Sequence, residues 1–186
     1  MRFMRLGTAI LAIGASVFAV SGQAEAEFVD LITNGDFETG DLTGWTIANL
    51  GDAGSFSIDT PETTTPITGL PTQGNPRGGS FYAVSDQGGP GTRALLQSFT
   101  VPQNFVPVQL SFDMFVNNWG EGPSIDQQAR VDILVDGASP FSTDPADILR
   151  TFYLGDDPGG FAANPHPFIS YNFGLSGLLP PEATGH

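Results

Sequence analysis

Apolar and polar positions alternate with a period of two along much of the chain, and no long segment keeps the three-to-four spacing of an amphipathic helix. Val108, Leu110, Phe112, Met114 and Val116 alternate with Gln109, Ser111 and Asp113, which predicts a long strand with one buried face. Ala129, Val131, Ile133 and Val135 repeat the pattern against Arg130, Asp132 and Asp136, and Asp136-Gly137 closes it with a turn. Shorter strands are predicted at 28–32, 45–50, 55–58, 80–85, 93–101, 148–154 and 168–175. The glycine-rich turn at 87–91 predicts that 80–85 and 93–101 form a hairpin. Residues 60–79, punctuated by Pro, Thr and Gly, read as a long surface loop and the most mobile part of the domain. Short strands between turn clusters predict an all-β fold, an antiparallel two-sheet β-sandwich of about eight or nine strands.

The N-terminal segment follows a different logic. Arg2 and Arg5 precede a stretch from Thr8 to Val20 that is almost wholly apolar or small, and Ala24-Glu25-Ala26 has the small-x-small form of a cleavage site. Residues 1–26 therefore read as an export signal, residues 27–175 as the sandwich domain and residues 176–186 as an irregular tail with two prolines. The expected location is the periplasm, the cell surface or the extracellular space. The apolar stretch is short for a bilayer and no later run reaches about 18 apolar residues, so no transmembrane segment is expected.

Charge narrows the partners. Beyond residue 26 the basic residues are Arg77, Arg93, Arg130 and Arg150, with no lysine, against all but one of the chain's 20 acids. Such a balance repels nucleic acid and anionic membranes, and leaves cations and neutral polymers as partners. Cysteine is absent, which excludes disulfides, thiol catalysis and thiolate metal sites.

The most informative stretch is Asn34-Gly35-Asp36-Phe37-Glu38-Thr39-Gly40-Asp41-Leu42-Thr43-Gly44-Trp45. Its Asn, Asp and Gly positions are turn chemistry, and Phe37 and Trp45 are apolar anchors at its ends. Asp36, Glu38 and Asp41 lie between the anchors. Calcium takes several carboxylate and carbonyl oxygens, so these three residues are the candidate cation ligands; the plain alternative is a solvated turn in which the acids bond their own backbone.

Trp119 stands among Asn117, Asn118 and Glu121 just past the long strand. A flat ring beside amides suits sugar recognition, and a Trp folded over a sandwich edge is the competing reading. Tyr82 and Gln97 join Asn117 and Asn118 as further candidates for a shared ligand surface. His166, between two prolines, and His186 read as exposed loop histidines. Sequences for a nucleophile elbow, a zinc protease or a phosphate-binding loop are absent, and so many acids make chance carboxylate pairs certain, which leaves a glycoside hydrolase only as a remainder.

Asn34-Gly35-Asp36-Phe37-Glu38-Thr39-Gly40 followed by Gly44-Trp45-Thr46 resembles the opening of galactose-binding-like jelly rolls. These include carbohydrate-binding modules and a bacterial group of exported proteins with a Pro-Glu-Pro C-terminal sorting tail. Residues 94–102, Leu110-Ser111-Phe112-Asp113-Met114 and 129–134 resemble the middle of the same group. The resemblance implies a jelly-roll sandwich, and for Glu38 a role as ligand of a structural calcium together with backbone carbonyls and an Asp near the last strand. That last strand, the Pro-Glu-Pro motif and its hydrophobic tail have no counterpart after Leu175, so the sandwich is expected to be incomplete and to self-associate through an unpaired strand edge. The functional expectation is an exported, non-catalytic module that binds a neutral polysaccharide or cell-surface polymer. The alternative is a structural cell-surface or extracellular-matrix protein without a discrete sugar site.

Overall fold

The computed structural model describes residues 4–7, 16–21, 28–72, 78–101, 105–117, 128–155, 165–175 and 177–178. The fold is all-β and its strands pair antiparallel. In chain order the strands are β1 (Met4–Gly7), β2 (Ser16–Ser21), β3 (Phe28–Asp30), β4 (Thr46–Leu50), β5 (Gly54–Asp59) and β6 (Tyr82–Gln87). They continue with β7 (Thr92–Leu96), β8 (Ser98–Phe99), β9 (Phe105–Met114), β10 (Ala129–Leu134), β11 (Ile148–Gly155) and β12 (Ile169–Gly174). One four-stranded sheet has the order β11-β10-β1-β8 and the other β12-β9-β2-β3; β4-β7 and β5-β6 form two-stranded ribbons.

The alternation along β9 sets the core. Val108, Leu110, Phe112 and Met114 are buried while Gln109 is exposed, as a period of two requires. These side chains share one core with Val131 and Ile133 of β10, Phe152 of β11, Phe99 of β8, Leu95 of β7, Ala83 of β6 and Phe56 of β5. All four sheets therefore close on common apolar ground, and burial of this surface is what holds them together. A second, aromatic cluster of Tyr82, Phe115 and Phe168 meets edge to face, with centroids 4.8–6.0 Å apart.

The pattern along β10 misleads about its second face. Asp132, expected on a solvated side, is 1% exposed. It is held by the Thr151 hydroxyl at 2.5 Å and by Arg130 Nε at 3.0 Å, because β10 lies between β11 and β1 and a neighbour covers each flank.

The expected hairpin of 80–85 with 93–101 does not form. β6 pairs with β5 and β7 with β4, so the glycine turn carries the chain between ribbons. Bonds at the ends of the ribbons explain the choice. Arg93 Nη1 donates to the Leu50 carbonyl at 3.0 Å, tying the start of β7 to the end of β4, and Gly88 N donates to Ala53 O at 2.8 Å.

The loop after β5 is also more structured than its composition suggests. Thr64 and Pro71 form an isolated bridge, and Thr72 N bonds Thr63 O at 3.0 Å. Asp86, 5% exposed on β6, accepts the amides of Ile67 (2.7 Å) and Thr68 (2.9 Å) and the Thr68 hydroxyl (2.7 Å). Burial alone would raise its pKa, but the Thr68 hydroxyl, the Thr68 and Ile67 amides and Thr65 together outweigh it and hold the carboxyl below its ordinary 3.8. A lowered folded-state pKa contributes stability above the unfolded value and loses it as pH falls through the folded one. Thermal unfolding between about pH 5 and pH 2 should therefore show an acid limb that is shallower in Asp86→Asn, with a cost of about 2 kcal/mol at neutral pH. Equal acid slopes in the two proteins would refute the assignment.

The described parts of the N-terminal segment are strands. Residues read as a removable signal supply an interior strand to each four-stranded sheet. β1 pairs with β10 and β8, and β2 pairs with β9 and β3, with Val17 opposite Leu110 and Ala19 opposite Val108. An alternating apolar stretch has the composition of a buried strand as well as that of a signal core, and an unpaired sheet edge satisfies its backbone groups by pairing with one.

Candidate functional site

The opening loop is a clasp. Asn34 adopts φ 50°, a conformation Asn tolerates, and its side-chain amide donates to the carbonyls of Asp41 (3.0 Å) and Thr43 (3.2 Å). The Asn34 carbonyl accepts Trp45 Nε1 at 3.0 Å, so one residue ties both ends of the loop. Phe37, fully buried at φ 61°, packs against Trp45 with centroids 5.4 Å apart. The two aromatic anchors of the sequence are thus one contact, made with the core.

Each candidate cation ligand already serves this clasp. Asp36 accepts the Glu38 amide at 3.2 Å as an Asx turn. Asp41 accepts the Thr43 amide (2.9 Å) and the Thr39 hydroxyl (2.7 Å), and hydrogen bonds from Thr43 and then Thr39 hold its carboxyl below the ordinary value. Glu38 reaches across 42 residues: its Oε1 accepts the amides of Ser80 (2.7 Å) and Phe81 (3.0 Å). Gly79 makes this approach feasible, since a Cβ there would lie 2.7 Å from Glu38 Cδ.

Calcium needs six to eight converging oxygens. Here the three carboxylates diverge toward separate N–H and O–H donors, and among the described residues no group of three acids or histidines stands close enough to hold a metal. In the described residues the three carboxylates make the hydrogen bonds of the alternative turn chemistry.

The expected ligand surface is also redistributed. Tyr82 is fully buried; its hydroxyl donates to Thr60 O at 3.1 Å, and burial, with Asp59 nearby, pushes its pKa up to about 12. Gln97, 8% exposed, is a strut: its Nε2 donates to Thr33 O at 2.9 Å and its Oε1 accepts Thr33 N at 2.6 Å. Asn117 caps the next segment by accepting the His166 amide at 2.8 Å. His166 is only 9% exposed, a correction to its reading as a solvated loop residue. Tyr82 and Gln97 are therefore internal and cannot share an exposed platform with Asn117. Trp119 and Asn118 lie outside the described residues.

What the structure brings together instead is the outer face of β9 and β12. The register sets Ser170 opposite Asp113, Asn172 opposite Ser111 and Gly174 opposite Gln109. Asn172, Ser170 and Gln109 are exposed, Ser111 and Asp113 are half-buried, and the Ser170 hydroxyl donates to Asp113. Strand geometry spaces these groups about 5 Å across the strands and about 7 Å along them. Behind the polar row, Tyr171 stacks on Phe112 (5.0 Å) and Phe152 meets Phe173 edge-on (5.1 Å), which fixes the sheet from its inner side. Arg150 lies over both Phe152 and Phe173, 5.0 and 5.6 Å from their centroids. The polar positions of β9 were visible in its alternation; their partners on β12 depended on register.

No family model, curated protein or solved structure matches the chain.

Proposed function

We propose that this chain is an exported, non-catalytic β-sandwich module that binds a neutral polysaccharide through the outer face of β9 and β12. One observation carries the reading: a row of amide, hydroxyl and carboxylate groups from Gln109, Ser111, Asp113, Ser170 and Asn172 lies on one sheet face. Amides donate and accept, a carboxylate accepts from hydroxyl pairs, and a flat grid of both suits a polyhydroxylated chain better than an apolar ligand. The excess of acids favours a neutral polymer over an anionic one. A jelly-roll arrangement of the sheets would fit the shared core, and calcium has no part in this reading.

The test is affinity electrophoresis of the full chain in gels containing neutral glucans, xylans or mannans, with the double variant Gln109→Ala/Asn172→Ala and with Trp119→Ala. The double variant should lose at least about tenfold in affinity, as two hydrogen-bonding side chains of roughly 1 kcal/mol each predict. Unchanged retardation of the double variant would move the site elsewhere, and loss in Trp119→Ala alone would move it to residues 117–119.

A further inference from the structure

Among the described residues Arg93 is the buried arginine, 5% exposed on β7. One end of its guanidinium is fixed, because Nη1 donates to the carbonyls of Leu50 and Thr92, each at 3.0 Å. The other edge is not satisfied among the described residues: Nε and Nη2 are both buried and have no hydrogen-bond partner there.

These two nitrogens carry the parallel N–H pair with which arginine grips a carboxylate or phosphate in a bidentate bond. A guanidinium stays charged at any ordinary pH, so burying that pair without acceptors costs more than burying a neutral amide would. The chain is strongly acidic, yet among the described residues no carboxylate is bonded to this edge. The surroundings are shaped for the group. Gly91 lies directly against Nη1 and Nη2, and a Cβ there would stand 2.7 Å from Leu50 O and press on the guanidinium. The cover is the exposed turn at 88–91, which packs on the Gly51–Ala53 connection: the Gly88 amide bonds Ala53 O at 2.8 Å, and Pro90 O lies 3.6 Å from a Cβ placed on Gly51.

We infer that the Nε–Nη2 edge of Arg93 is an anion site, which takes a two-oxygen acid group, a carboxylate or a phosphate, beneath the 88–91 turn. Its chemistry is independent of the polysaccharide face on β9 and β12. Both nitrogens are closed to solvent, so entry requires the 88–91 turn to shift aside, and the occupant is a small anion or the terminal group of a larger one. Net negative charge weakens anion approach at long range and salt screens it, so comparisons belong at matched ionic strength.

The experiment is thermal unfolding of the full chain at pH 7 in chloride, acetate or inorganic phosphate at equal ionic strength, beside Arg93→Lys, which keeps the charge and loses the fork. Acetate or phosphate should raise Tm by at least about 2 °C in a dose-dependent way, and Arg93→Lys should show no anion-specific rise. A rise with acetate alone assigns a carboxylate site, and one with phosphate alone a phosphate site. No rise with either, or an equal rise in Arg93→Lys, overturns the inference. Should Arg93→Lys fail to fold, the parent protein still decides the question by NMR. One protected arginine Nε–H resonance should shift and saturate on titration with the active anion, and resonances that stay in place refute the site.

Discussion

A chain lacking residues 1–26 is expected to run as a dimer or larger species in size-exclusion chromatography with light scattering, where the full chain runs as a monomer. The deletion removes β1 from between β10 and β8 and β2 from between β9 and β3, so each four-stranded sheet loses an interior strand in one cut. β3 then has no remaining partner in its sheet, and β9 and β10 each present an open row of N–H and C=O groups. β9 and β10 also bring Leu110 and Ile133, both fully buried, to the broken edge. Open edges flanked by apolar side chains recruit strands from other chains. A peptide spanning residues 14–23, supplied in trans, should compete with that association by refilling the β2 position. A deleted chain that remains a stable monomer, and does not bind the peptide, would show that the edges are covered from elsewhere in the fold. The experiment also bears on export, because a segment removed at the membrane cannot remain a strand of the folded protein.

Phe37→Ala should destabilise the full chain by about 3–5 kcal/mol in chemical denaturation, the loss expected when a fully buried aromatic ring leaves a cavity. The position combines two costs. The ring fills space beside Trp45, and its φ of 61° is offset by the packing that the ring makes, while the backbone bond from the Gly40 amide to its carbonyl at 3.0 Å is kept in the variant. Alanine would keep the awkward backbone and lose what holds it. Glu38→Gln offers the contrast: an exposed side chain that retains an oxygen for the Ser80 and Phe81 amides should cost about 1 kcal/mol or less. If both variants lost similar stability, the clasp would owe more to Glu38 than to its apolar anchors. Adding calcium should leave the unfolding midpoints of parent and Glu38→Gln equally unchanged. Stabilisation of the parent alone would restore the cation reading of this loop.

Much of the local structure was legible because it is written in short-range terms. The alternation of β9 and the alternation of β10 announced both strands, β10 to within one residue of its ends and β9 to within three, since a period of two is a property of the segment itself. The Asn34 to Trp45 turn was equally readable, because Asn, Asp and Gly bond to neighbouring backbone wherever they stand. The anchors Phe37 and Trp45 were recognisable as apolar pins for the same reason.

Partnership was not legible. Ribbons β5-β6 and β4-β7 replaced the simple hairpin because an arginine and a glycine amide bonded across loops that sequence separates by tens of residues. Tyr82 and Gln97 looked like surface amphiphiles, yet Tyr82 went into an aromatic cluster and Gln97 to the backbone of Thr33, 64 residues away. Asp36, Glu38 and Asp41 were a plausible ligand set as letters in a row, and only folding showed their oxygens turned to separate donors. Sequence by itself determined the all-β character, the turns and the acidic surface, because composition and period act locally. Tertiary structure alone decided which strands meet, that the N-terminal segment enters both sheets, which polar groups share the β9–β12 face and that the fork of Arg93 has no acceptor among the described residues. Those outcomes depend on register and on burial by distant residues, which no local pattern encodes.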